Sequence, residues 1–133
     1  VAKWRDEGGT RLMARILLAE DDADVLVVVE HVLLDGGYEV DPATNLHDAQ
    51  ELLLSRDYDL VLTDGRLPDG TGMELADAAE EKGISSLILT GYAFILRELA
   101  ADPTKYRVLL KPLRPVEILR AVEDALKPAS IHD

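Results

Sequence analysis

Tyr58-Asp59-Leu60-Val61-Leu62-Thr63-Asp64-Gly65-Arg66-Leu67-Pro68-Asp69-Gly70-Thr71-Gly72 is the stretch that decides how this chain is built. Leu60 to Thr63 form a short apolar, partly β-branched run, the pattern of a buried strand. The run stops at an aspartate and passes into a loop rich in Gly, Pro and Asp. Met73 to Lys82 then resume at helical spacing. Asp64 is therefore expected at the carboxyl end of a buried strand, where the chain turns out toward a helix. That is the edge at which open α/β sheets bind ligands. A strand-end aspartate also serves simply to tidy a turn, so the choice falls to the rest of the chain.

The 133 residues suit one domain with a real core, and an apolar share of 47% argues against a disordered chain. No apolar run is long enough to cross a bilayer, and no basic-then-apolar leader stands at the front. The absence of cysteine rules out disulfides and thiolate metal sites and fits a reducing cytoplasm. With 26 acidic against 14 basic residues the net charge is −12, which opposes direct contact with phosphate backbones and favours cations and basic partner surfaces.

Strand and helix signals alternate from Arg15 onward. Ile16 to Ala19 is a short buried strand that ends in Glu20-Asp21-Asp22. Ala23 to Asp35 carries an apolar stripe at Val25, Val28, Val29, Val32 and Leu33, closed by Gly36-Gly37. Tyr38 to Ala43 is a less hydrophobic strand, suited to a sheet edge. Thr44 or Asn45 can cap a helix over Leu46 to Ser55, with Leu46, Ala49, Leu52 and Leu53 facing inward. After Leu60 to Thr63 and the helix starting near Gly72 come a fourth strand, Ser86 to Thr90, and a shorter helix, Ala93 to Ala101, stopped by Asp102-Pro103. Arg107 to Leu110 is the fifth strand, and Pro115 to Leu126 the last helix, with proline placed in its first turn. Five β-α units predict a parallel, doubly wound (βα)5 sandwich of the flavodoxin-like type, with strand order 2-1-3-4-5. We expect residues 1–13 to be a lead-in ahead of a native start near Met13, 14–127 the folded domain and 128–133 a tail.

Several strands of this plan end in residues that carry chemistry. Three adjacent acids after the first strand exceed what one helix cap needs, although Asp21 or Asp22 can serve as that cap. Packed near Asp64 they repel one another, a penalty that a hard divalent cation such as Mg²⁺ removes. Thr90 ends the fourth strand with a hydroxyl able to donate to a phosphoryl oxygen, and Gly91 keeps the approach open. Lys111 ends the fifth strand as a counter-charge, and a cis bond to Pro112 is expected to aim it inward.

These residues resemble the receiver domain of two-component response regulators. ILLAEDDADVL (Ile16 to Leu26), YDLVLTDGRLPDGTGMEL (Tyr58 to Leu75), LILTGYA (Leu87 to Ala93) and VLLKPL (Val108 to Leu113) match in order and spacing, and the likeness covers Ala14 to Leu126. It implies that Asp64 is a phosphoacceptor, charged from a phosphohistidine on a histidine kinase or histidine phosphotransfer protein. It implies Mg²⁺, with Mn²⁺ as the alternative ion, held by Asp21, Asp64 and the backbone carbonyl of Arg66, and by Glu20 through water; Asp22 is then helix cap first. Thr90 and Lys111 would contact the phosphoryl oxygens. It further implies a cytoplasmic switch protein, not a turnover enzyme. Phosphorylation would shift the face of the fourth helix, fifth strand and fifth helix toward a downstream target, a fused output domain or a second copy of the chain.

The chain departs from the family pattern in places. The aromatic usual three residues before the lysine is replaced by Val108, with Tyr106, two residues further back and expected on the same side of the strand, as the nearest substitute. Tyr92, Phe94, Ile95 and Leu96 form an apolar run too broad for one buried stripe, which suggests a partner contact. Arg66 and Tyr92 follow Asp64 and Thr90 by two residues and are expected to flank the pocket mouth, restricting the water that would hydrolyse the phosphoryl group. His31, His47 and His132 lack metal-ligand spacing and are expected at the surface. Two other functions fit such a sheet. One is a Mg²⁺-dependent phosphatase-like hydrolase, which needs an acid where Arg66 stands. The other is a degenerate receiver that only binds proteins, which predicts the loss of an acid, the aspartate or the lysine.

Overall fold

The structure is a computed structural model, described over residues 13–91 and 105–127. Its elements run β1 (Arg15–Ala19), α1 (Ala23–Asp35), β2 (Glu39–Ala43), α2 (Leu46–Ser55), β3 (Leu60–Asp64), β4 (Arg66–Leu67), β5 (Gly70–Thr71), α3 (Gly72–Glu81), β6 (Ser85–Thr90), β7 (Val108–Leu110) and α4 (Pro115–Leu126), the last being the helix expected as the fifth. The main sheet has five strands in the order β2-β1-β3-β6-β7, every neighbouring pair parallel. Counted over these strands alone the order is 2-1-3-4-5, the flavodoxin-like arrangement expected. The helix expected over Ala93 to Ala101, the apolar run from Tyr92 to Leu96, the lead-in before Met13 and His132 lie outside the described residues.

The apolar runs of the central strands are continuous because both of their faces are covered. Side chains alternate across a strand, so Ile16, Leu18, Leu60, Leu62, Leu87 and Leu89 pack with Val29 and Leu33 of α1 and Ile118 and Val122 of α4. Leu17, Ala19 and Val61 face the other way, against Leu46, Ala49 and Leu53 of α2 and Leu75 and Ala79 of α3. Each fully buried leucine contributes about 1.5–3 kcal/mol, which makes these two layers the main support of the sheet's carboxyl edge.

Helix starts follow the expected chemistry. The Asp22 carboxylate accepts from the Asp24 and Val25 amides at 2.9 and 3.2 Å. Of the two candidates for α2, Asn45 is the cap, accepting from Asp48 N at 2.7 Å. Thr71 and Glu74 form a reciprocal capping box on α3. At the sheet's edge, Glu39 N donates to Ala14 O and Ala43 O accepts from Glu20 N. Odd-numbered residues of β2 thus turn their backbone groups toward β1, and Pro42, which has no N–H, turns outward, where none is needed.

Three expectations need correction. Val28 is 58% exposed, not part of the inward stripe. The Val25–Val29 run is apolar on so many sides of the helix that its pattern does not select the buried side. The stretch after Gly65 is not plain loop: Arg66 and Leu67 pair antiparallel with Thr71 and Gly70, with Pro68-Asp69 at the turn. Finally, Tyr106 precedes β7 instead of sharing a strand face with Val108. Its hydroxyl donates to Asp77 of α3 at 2.9 Å, at the amino end of the strand.

Candidate functional site

Strand alternation brings three chemically active side chains to the same face of the sheet. Glu20 keeps phase with Ile16 and Leu18, Asp64 with Leu60 and Leu62, and Lys111 with Leu109, all on the side covered by α1 and α4. The ladder extends one residue past β1, through Glu20 N to Ala43 O at 3.0 Å. It also extends past β7, through Lys111 N to Thr90 O at 2.9 Å, which fixes where both side chains leave the backbone. Lys111 Nζ then sits 3.3 Å from Glu20 Oε1 and 3.3 Å from Asp64 Oδ2. The Lys111–Pro112 peptide bond is cis, as expected.

Glu20 is 1% exposed. Burial raises its pKa, and the Asp64 charge adds to the rise against the opposing effects of the Asp22 amide, which donates to Glu20 Oε2 at 3.1 Å, and of Lys111. Lys111 loses hydration by burial, but attraction to Asp64 and Glu20 outweighs this and holds its pKa above the usual lysine value. The pocket thus keeps its cation charged across the physiological range.

Glu20, Asp21 and Asp64 each offer a carboxylate oxygen within 4.8 Å of the others, the one such group among the described residues. Asp21 and Asp22 are exposed, and Asp22 is occupied in capping α1. Thr90 is buried at the end of β6, next to Leu89, whose register partner is Asp64. The sequence-predicted residues Glu20, Asp21, Asp64, Thr90 and Lys111 therefore converge on one edge, and Arg66 opens the hairpin just beyond it. His31 and His47 lie on the surface, each within 4.0 Å of an acid one turn along its own helix (Asp35 and Glu51).

Three residues around Asp64 carry more than their sequence positions suggest. Gly65 N donates to Asp64 Oδ1 at 2.7 Å, orienting the carboxylate. The Thr63 hydroxyl donates to the Asp64 carbonyl at 2.9 Å. Gly72 lies so close beneath that carbonyl that any Cβ would collide with it, and Gly72 N closes the loop onto Gly65 O at 2.9 Å. Spacing marks Gly72 only as a helix start; the contact that demands glycine there is tertiary. Asp69, which the sequence places only in a loop, accepts from Leu46 N at 2.7 Å and His47 N at 2.9 Å, and these two bonds hold its pKa below the usual carboxylate value.

Comparison with known proteins agrees with this geometry. The family described as "Response regulator receiver domain" matches residues 16–123. The response regulator receiver protein CpdR of Brucella abortus is 34% identical over 117 residues, which cover 86% of this chain and 98% of CpdR. The transcriptional regulatory protein DltR of Streptococcus agalactiae is 35% identical over 75 residues, 56% of this chain but only 34% of DltR. Among solved structures, the response regulator protein TrrA of Thermotoga maritima, in complex with Mg(2+)-BeF, matches with a TM-score of 0.74 at 28% identity, over 86% of this chain and 100% of that one. With the fold, the strand-end carboxylates and a match across most of its length in agreement, the chain belongs to the response regulator receiver domains.

Proposed function

We propose that Asp64 is the phosphoacceptor of this receiver domain, taking a phosphoryl group from a phosphohistidine on a histidine kinase or histidine phosphotransfer protein. The observation that carries the assignment is the placement of Asp64 Oδ2, 3.3 Å from Lys111 Nζ and beside the carboxylates of Glu20 and Asp21. An Asp64 oxygen attacks phosphorus, the P–N bond to the donor imidazole breaks, and its electron pair returns to the ring, which takes one proton from solvent and so leaves neutral. The products are an aspartyl phosphate here and a free imidazole on the donor. Lys111 neutralises the transferring oxygens, and the Thr90 hydroxyl donates to one of them. Gly65 N keeps the carboxylate turned toward the incoming group.

The donor set suits Mg²⁺: every candidate ligand is a hard oxygen, and three carboxylates gathered within 4.8 Å of one another carry more negative charge than Lys111 offsets. Asp21, Asp64 and the Arg66 carbonyl would hold the ion directly, and Glu20 through water; Mn²⁺ fits the same donors. When bound, the cation supplies charge neutralisation to the phosphoryl oxygens. The Mg(2+)-BeF complex of TrrA supports this reading.

In our reading the domain spans residues 14–127, works in the cytoplasm and is a switch rather than a turnover enzyme. The described residues contain no helix long and apolar enough to cross a membrane. Phosphorylation acts on the face of β7 and α4, together with the segment where the fourth helix is expected, and a downstream protein, a fused output domain or a second copy then reads it. Relatives named as transcriptional regulators support a regulatory output. Val108 in place of an aromatic, with Tyr106 tied to Asp77, favours a switch driven by Thr90 without an aromatic partner. The chain retains the acids, Thr90 and Lys111, which supports phosphoryl acceptance over a binding-only role.

The test is intact-mass spectrometry after incubation with acetyl phosphate, with and without Mg²⁺, beside Asp64→Asn. A Mg²⁺-dependent gain of one phosphoryl group, lost in the variant, is the expected result. No gain in a folded, Mg²⁺-bound protein from acetyl phosphate or from a phosphohistidine donor would overturn the proposal.

A further inference from the structure

The hairpin after Asp64 carries Arg66, whose carbonyl is the one main-chain ligand in the proposed cation site. Its base is tied by Gly72 N to Gly65 O at 2.9 Å. Its own ladder is only two residues long on each side, too short to be stable alone. The tip is secured from elsewhere. Asp69, at the turn, accepts from Leu46 N at 2.7 Å and from His47 N at 2.9 Å, across 23 and 22 residues of sequence. Those amides belong to the first turn of α2, where backbone donors lack helical acceptors and a negative charge is favoured. Leu46 reinforces the join: its Cδ2 packs so tightly against Gly70 that a Cβ there would collide with it. Leu67, between the base and the tip, is buried in the α2/α3 layer.

We infer that Asp69 is a positioning residue for phosphoryl transfer: it pins the hairpin tip to the start of α2 and so fixes the Arg66 carbonyl beside Asp64. The inference rests on the assignment of the Asp64 pocket as the cation and phosphoryl site. A hairpin tied at both ends presents its carbonyl in one place, whereas one tied only at its base leaves that ligand to be ordered each time a cation binds. The α2 helix thereby takes part in the site although its buried residues Leu46, Ala49 and Leu53 pack on the other layer of the sheet.

The alternative is that Asp69 only caps α2, and a second cap on the same helix separates the two. Asn45→Ala removes the Asn45 bond to Asp48 N, 2.7 Å long, without touching the hairpin. Mg²⁺ affinity is measured by titration calorimetry on the full chain, with thermal melting and acetyl phosphate uptake alongside. Asp69→Ala and Asn45→Ala are both expected to lower the melting temperature. Only Asp69→Ala is expected to weaken Mg²⁺ binding, by about tenfold as for loss of a ligand-orienting partner, and to slow phosphoryl uptake at limiting Mg²⁺. Asp69→Asn keeps one carbonyl acceptor, so it falls between, and it carries the test if the alanine variant does not fold. Wild-type Mg²⁺ affinity in the Asp69 variants, or an equal loss in Asn45→Ala, overturns the inference while leaving Asp64 as phosphoacceptor. A wild-type chain that neither binds Mg²⁺ nor takes phosphate overturns both.

Discussion

Replacing Gly72 by alanine tests how tightly the start of α3 is built against the phosphoacceptor strand. A Cβ at Gly72 would overlap the Asp64 carbonyl oxygen and press on Thr63 Cγ2 at 2.9 Å and Thr63 Oγ1 at 3.0 Å. The first obstacle is backbone, which cannot swing aside as a side chain can. Overpacking of this kind costs about 1–3 kcal/mol, and a backbone obstacle places the cost near 3. Alanine recovers at most about 1 kcal/mol by restricting the unfolded chain, leaving a net loss near 2 kcal/mol. At roughly 4 °C per kcal/mol for a domain of this size, the melting temperature falls by about 8 °C. Relief by shifting the Asp64 carbonyl also displaces its side chain, so phosphoryl uptake slows as well. Gly83→Ala is the comparison. Its φ of +74° makes alanine strained, yet nothing lies within 4 Å of the added methyl, and it sits before β6 at the opposite end of the sheet. That change costs about 1–2 kcal/mol and leaves the rate of uptake alone. Circular-dichroism melts and the mass-spectrometric uptake rate check both variants. A Gly72→Ala protein that melts with the wild type and takes phosphate at the wild-type rate would refute the close-contact argument.

Lys111→Met removes the cation shared by Glu20 and Asp64, and the initial rate of phosphoryl uptake is expected to fall by about a hundredfold; an unchanged rate would remove Lys111 from the mechanism. Arg66→Asn should alter the half-life of the aspartyl phosphate, followed as loss of the phosphorylated mass after donor removal, because Arg66 is exposed where the hairpin leaves Asp64; an identical half-life would exclude a shielding role. Burial, and then the bond from its hydroxyl to Asp41 Oδ2 at 2.8 Å, raises the Tyr58 pKa above the ordinary value of about 10. The folded chain then holds this proton where the unfolded chain has lost it, so the contribution is full below about pH 10 and is lost as pH rises toward the folded value. Tyr58→Phe should melt with a weaker dependence on pH above about 10, and a dependence as steep as the wild type's would argue against it.

What the sequence disclosed, and what it hid, follows the range of the interactions involved. Glu20, Asp64 and Lys111 were legible because each ends a continuous apolar run, and period-2 alternation together with strand order brings their side chains together. Asp22 and Asn45 were legible because a cap acts within three residues of itself. Asp69 was not, since its partners stand 22 and 23 residues earlier and a turn aspartate looks the same whether or not it reaches a second helix. The hairpin around it was missed because two-residue strands carry no periodicity. Spacing marks Gly72 as a helix start, while its contact with the Asp64 carbonyl exists only after folding. Val28 was misplaced for the opposite reason: the local pattern around it is apolar in too many directions to choose a side.

The outward turn of Pro42 on β2 bears on how copies of this chain can meet. A bare parallel strand offers alternate N–H groups to any extended segment that arrives, and intermolecular sheet growth begins from such an invitation. Here the donor that Pro42 would have offered is missing, and the acids of the strand, Glu39 and Asp41, are already paired with Arg15 and Arg56. A second copy therefore meets an incomplete row of donors, and its own net charge of −12 opposes the approach. Val40 is left as the outward donor of the strand, so continuous β-sheet growth through this border is disfavoured, and contacts between copies there fall to side chains, which can be released again.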